Sequence, residues 1–163
     1  MTICWTTTTP KPASILAIGR MKPGPERTLF EHYAARLRPA PAVIELPEGQ
    51  GSNAAEIRRR EGAAMLAAVP AESCAVALDL GGLALSTEAL ADNLTQWEAR
   101  PLIFLIGGAE GLYPAVLARA EHRLSLGALT WPHFLVRGLL AEQLYRVQCI
   151  RANHPYHRAW RPA

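Results

Sequence analysis

A chain of 163 residues, half of them apolar and 19% charged, fits one compact domain and is not disordered by composition. No stretch of 18 uninterrupted apolar residues occurs, which excludes a conventional membrane-spanning helix. The net charge of +3 is unevenly spread: residues 1–118 carry 10 basic and 12 acidic side chains (−2), residues 119–163 seven arginines against Glu121 and Glu142 (+5).

The first eleven residues, MTICWTTTTPK, lack the basic start and long apolar run of a secretory signal. Residues 1–12 read as an extension and 13–163 as one domain. Ser14–Ile18 (SILAI) predicts a strand closed by Gly19. Glu26–Leu37 has Leu29, Phe30, Tyr33 and Leu37 at helical spacing and ends near Pro39. Ala42–Leu46 reads as a strand stopped by Pro47. Asn53–Val69 reads as a helix capped by Ser52 or Asn53, with Ile57, Met65, Leu66 and Val69 facing inward. Cys74–Leu80 is a buried strand ending in a Gly81-Gly82 turn. Ser86 caps a helix running to about Trp97.

Pro101–Ile106 is the most apolar strand and leads into Gly107-Gly108. Pro114–Arg119 is a short turn or helix, and Arg123–Leu126 a brief strand. Pro132 opens the longest helix, to about Arg151, at the first-turn position proline favours. Its apolar arc of Val136, Leu139, Leu140, Leu144, Val147 and Ile150 encloses Gln143, which therefore needs a hydrogen-bonding partner. Glu142 and Arg146 form an i,i+4 pair. This alternation of strands and helices implies an α/β fold with a mostly parallel sheet.

Several chemistries lack their motifs. No G-x-G-x-x-G follows the first strand, which removes the phosphate turn of a nicotinamide or flavodoxin-like site. Gly19 and Gly24 have P-loop spacing, but Pro25 and Glu26 stand where Lys and Ser/Thr are required. Ser86 and Ser125 sit in no G-x-S-x-G elbow. Pro155 between His154 and His157 disfavours a helical metal face, so no metal is expected. Cys4, Cys74 and Cys149 form no C-x-x-C pair and read as free thiols in a reducing cytosol. What remains is a set of strand ends, at Leu78-Asp79, Ile106-Gly107-Gly108 and Leu126-Gly127. Open α/β sheets bind ligands beyond such ends, and bare glycine backbone lets a ligand come close. The cationic end of the chain is almost all arginine, which stacks on bases and grips phosphates in a bidentate way.

The stretches ALDLGGLALSTEALA (Ala77–Ala91), FLIGGAEGL (Phe104–Leu112), LSLGALTWPHFLVRGLLAEQLYRVQCI (Leu124–Ile150) and NHPYHR (Asn153–Arg158) go further. With EHYAARL (Glu31–Leu37) and REGAAMLAA (Arg60–Ala68), they make the chain resemble the ribosomal large-subunit pseudouridine N3-methyltransferases of the SPOUT superfamily. The resemblance implies a parallel sheet with a C-terminal deep trefoil knot, S-adenosylmethionine as cofactor, and a cytoplasmic homodimer acting on large-subunit ribosomal RNA. It places the cofactor against Leu78, Gly107, Gly108, Leu126, Gly127, Ala128, Leu129, Thr130 and Trp131. It implies that each site borrows the partner's tail, where loss of the N3 proton calls for His157 as proton acceptor or its organiser, Arg158 to stabilise ring or phosphate charge, and Tyr156 to stack on or orient the base. Arg137, Arg151 and His154 are candidate RNA contacts, Arg137 alternatively a cross-subunit one. The rival readings are a SPOUT enzyme acting on transfer RNA or a ribose, and a non-catalytic ribosome-associated RNA-binding factor.

Overall fold

The computed structural model describes residues 12–159, so most of the expected extension, with Cys4, lies outside the described residues. Five parallel strands form one sheet in the order β2-β1-β4-β3-β5: β1 (Ser14–Ile18), β2 (Ala42–Leu46), β3 (Cys74–Ala84), β4 (Leu102–Ile106) and β5 (His122–Ser125). Five helices cover it: α1 (Pro25–Ala34), α2 (Ala54–Ala68), α3 (Thr87–Trp97), α4 (Pro114–Arg119) and α5 (His133–Arg151). No helix among the described residues is long and apolar enough to cross a membrane.

The unbroken apolar runs of β1 and β4 follow from burial on both faces of the sheet. Ile15, Ala17, Phe104 and Ile106 join a core under α1, α3 and α5. Leu16, Ile18, Ile103 and Leu105 join a second one under α2 and α4. β2 and β5 are the edge strands, and Val43 and Ile44 of β2 remain exposed. α2 and α3 start where their capping residues predict. Asn53 accepts from Glu56 N–H at 2.9 Å, and Ser86 accepts from Ala89 N–H at 3.1 Å. On α5, Gln143 finds the expected partner, its Oε1 accepting from Thr87 Oγ1 at 2.9 Å. Gly138 brings α5 against α1; a Cβ there would stand 2.8 Å from Leu29 Cδ2.

Two boundaries differ from the sequence expectation by more than one residue. β3 does not end at Leu80. It loops out and rejoins β5, so that Leu78 and Leu83 both register with Leu124. Gly82 makes this possible, because a Cβ there would lie 2.7 Å from the carbonyl carbon of Arg123. α1 stops at Ala34, ahead of Leu37, and continues as a turn held by N–H groups of Arg36 and Leu37 bonded to Tyr33 and Ala34 carbonyls.

Arg137 corrects a functional expectation. It is 1% exposed and cannot meet RNA or a neighbouring subunit from there. Its Nη1 donates to Glu45 Oε1 at 2.8 Å, and its Nη2 donates to the carbonyls of Ile18 and Gly19 at 2.7 and 2.6 Å. Glu45 Oε1 also accepts Met21 N–H at 2.8 Å. The start of α5 is thereby pinned across the carboxyl ends of β1 and β2. Arg137→Ala removes the donor to two buried carbonyls, while the Glu45 side chain, 29% exposed, can turn to solvent, so unfolding free energy should fall by about 1–3 kcal/mol. Urea denaturation checks this; a loss below about 1 kcal/mol, the range of an exposed pair, contradicts it.

Candidate cofactor pocket and C-terminal tail

Because β4, β3 and β5 are adjacent and parallel, their carboxyl ends open at one edge of the sheet. The loops leaving them enclose a pocket of about 340 Å³ lined from Leu78–Leu80, Ile106–Leu112, Leu124–Gly127, Thr130, Trp131, His133 and Val136. That volume is within the usual range for a small-molecule site. After β4 the chain turns back at once, Gly111 N–H donating to the Gly108 carbonyl at 3.1 Å. After β5, Gly127 takes φ +107°, a conformation glycine adopts without strain. Ser125 Oγ braces this bend, donating to the Gly127 carbonyl at 3.0 Å and accepting its N–H at 3.3 Å. Trp131 folds back, its Nε1 donating to the Leu126 carbonyl at 3.4 Å.

Of the cofactor residues expected from sequence, Leu78, Gly107, Gly108, Leu126, Gly127, Thr130 and Trp131 line this pocket. Ala128 and Leu129 do not; both are exposed. Asp79, at a strand end marked from sequence, also lines the pocket, as do Glu110, Ser125 and His133, which the expected cofactor set lacks. Glu110 and Ser125 each lie two residues from a glycine already singled out, which is the signal that could have found them. His133 sits at the start of α5, its ring tilted against that of Phe134 with centroids 4.1 Å apart. Burial first, and the nearby Arg137 second, push its pKa below the ordinary imidazole value, so it stays neutral. The glycine-rich walls, apolar floor and backbone groups suit an adenosyl sulfonium, which brings no phosphate needing a basic cradle.

The tail residues expected to be catalytic line no part of this pocket in their own chain. Tyr156 is packed inward: its hydroxyl donates to Glu142 Oε1 at 3.0 Å and lies 3.4 Å from the Tyr33 hydroxyl. Its ring meets Tyr145 edge-on at 4.9 Å and lies under the Arg146 guanidinium at 4.7 Å. Burial, then the bonds to Tyr33 and Glu142, raise its pKa, so the phenol keeps its proton. Tyr156 thus anchors the tail. His157 Nε2 stands 2.9 Å from Glu88 Oε1 at the start of α3, while its Nδ1 is buried with no partner among the described residues. Arg158 is exposed.

The expected RNA contacts fare differently. Arg151 is occupied on α3, bonding Glu98 Oε2 at 2.9 Å, Thr95 Oγ1 at 3.2 Å and the Ala91 carbonyl at 3.4 Å. His154 is exposed, with its Nδ1 accepting Tyr156 N–H at 3.1 Å. Among the described residues, one group has metal-ligand geometry, and it is not the pair of tail histidines. Cys74, Glu121 and His122 place ligand atoms within 4.8 Å of one another. Glu121 is ion-paired to Arg100 and Arg119, and His122 stacks on Trp97 at 4.7 Å, so two guanidinium groups oppose a cation there.

A family model described as predicted SPOUT methyltransferase matches residues 12–157. The chain belongs to the SPOUT methyltransferase family. Within it, the chain is 56% identical over 151 residues to a protein of Gluconacetobacter diazotrophicus named ribosomal RNA large subunit methyltransferase H, covering 91% of this chain and 99% of that one. A protein of the same name from Acidiphilium cryptum is 57% identical over 150 residues, covering 91% and 94%. A solved structure of a probable methylase family protein from Haemophilus influenzae shares the fold alone, at TM-score 0.54 and 10% identity, over 93% of this chain and 72% of that one.

Ala109 is exposed and sits on the pocket rim. Ala109→Trp should fill the pocket without disturbing the core, weakening S-adenosylmethionine by at least about tenfold with thermal stability kept. Calorimetric titration reads this, and unchanged affinity would remove the cofactor from the pocket.

Proposed function

We propose that this protein transfers a methyl group from S-adenosylmethionine to N3 of a pseudouridine in large-subunit (23S) ribosomal RNA. In this reading it works in the cytoplasm as a homodimer on a preassembled ribosomal particle, without a metal, and its C-terminal part is threaded into a trefoil knot. The observation that carries the reading is a glycine-walled pocket, open at three parallel strand ends, in a chain of this methyltransferase family. The names of the relatives, held over nearly their whole lengths, support the ribosomal substrate.

The bound cofactor supplies an electrophilic methyl on a sulfonium sulfur. The chain must then orient the uracil-type ring and remove the N3 proton, since that nitrogen is not nucleophilic while protonated. His157 is built for the second task. Its Nε2 stands 2.9 Å from Glu88 Oε1 and its Nδ1 is buried in its own chain, so taking the proton requires the ring to leave the Glu88 contact when the tail meets the partner's pocket. Arg158, exposed beside it, stabilises the negative charge of the deprotonated ring or of a phosphate. Tyr156 holds both in place through Glu142 and Tyr33. That the tail lines no part of its own pocket supports its service to the partner's pocket.

Subunit mixing tests this arrangement. Ala109→Trp and His157→Ala should each abolish turnover on large subunits, His157→Ala with cofactor binding retained. Mixed in equal amounts, they should recover about a quarter of parental activity, because half the dimers then carry one intact composite site. No recovery after verified exchange would mean that each tail serves its own chain.

A further inference from the structure

The described lining of the cofactor pocket carries two carboxylates, Asp79 and Glu110, and neither lysine nor arginine. Its histidine, His133, is kept neutral by burial and by Arg137. A third carboxyl lies immediately behind the wall. Glu61, on α2, is 5% exposed, and its Oε1 accepts Gly49 N–H at 2.9 Å. Its Oε2 is buried with no partner among the described residues. A Cβ on Gly108 would stand 2.9 Å from Oε2 and 3.0 Å from Oε1. The Gly108 turn, which lines the pocket, therefore packs directly on this carboxyl and on Ile18.

A buried carboxyl with one unsatisfied oxygen is costly, and an apolar side chain at position 61 would extend the core around Met65 without that cost. Burial raises the Glu61 pKa; the Gly49 N–H opposes this, and Glu48 and Glu110 push it further up. Nothing else in the described fold uses Oε2. A positive charge placed on the far side of Gly108 would relieve all of these terms together.

The methyl donor brings such a charge and loses it. On transfer, the carbon–sulfur bond electrons stay on sulfur, which passes from sulfonium to neutral thioether, while the acceptor nitrogen gains the methyl and has given up a proton. Donor and spent product differ by one methyl and one positive charge. We propose that Glu61, acting through the Gly108 turn together with Asp79 and Glu110 in the lining, is a charge filter. It holds the sulfonium donor and releases the thioether product. The proposal rests on the pocket being the methyl-donor site. A carboxylate close to the ligand in a partly dry site acts more strongly than in water, which suffices for a selectivity of about tenfold.

Calorimetric titration of the full-length protein with S-adenosylmethionine and, separately, S-adenosylhomocysteine tests it. Glu61→Gln keeps the shape and the acceptor for Gly49 N–H. It should weaken the donor by about tenfold and shift the product by less than about twofold. Glu110→Gln, at an exposed rim position, should move the donor in the same direction by less, which keeps the test open should Glu61→Gln not fold. Equal weakening of both ligands would make Glu61 a structural residue only, and no change in either would also overturn the filter. If Ala109→Trp leaves both ligands bound as in the parent, the pocket assignment itself fails, a result separate from the other two.

Discussion

Parallel pairing of β4, β3 and β5 is the constraint from which the site follows. Parallel strands place all their carboxyl ends at one edge, and the loops leaving that edge have no pairing to satisfy beyond it. Glycines at 107, 108 and 127 let those loops turn sharply enough to leave a chamber between them. The Arg137–Glu45 contact then pins α5 at the same edge, so its first turn closes the chamber with His133 and Val136. Core burial on both sheet faces makes the arrangement stiff, and the carboxylates around the chamber give it a sign.

The strands and helices were legible because each carries a physical signature in a few neighbouring residues. β1 and β2 follow the sequence expectation residue for residue, and α3 begins at the cap that Ser86 offered. Prediction failed where the outcome depends on a distant partner. Gly81-Gly82 is a turn signal by local rules, yet Arg123 and Leu124 are close enough for β3 to pass through it as a bulge. Arg137 looked like one more surface cation, and only the strand ends beneath it make its burial sensible. Glu61 was silent for the same reason. Its spacing from Ile57 and Met65, four residues each way on one helix, put it on the inward face and was the clue available.

The arginine excess at the C-terminal end also changes meaning. Arg119, Arg137, Arg146 and Arg151 are each spent within the chain, on backbone carbonyls or carboxylates. Arg123 and Arg158 form no ion pair or side-chain hydrogen bond among the described residues, and Arg161 lies outside them. A positive composition is therefore a poor map of an RNA surface here. In the proposed reading, the tail offers an RNA base an imidazole beside an exposed guanidinium, held on a tyrosine anchor.

In the proposed reading, this pocket and tail place one methyl group on one pseudouridine. Mass spectrometry of nucleosides from large-subunit RNA, taken from cells with and without this protein, measures that directly. Loss of a single N3-methylated pseudouridine is expected when the protein is absent. An unchanged nucleoside profile, or a methyl missing instead from a ribose or from transfer RNA, would contradict it.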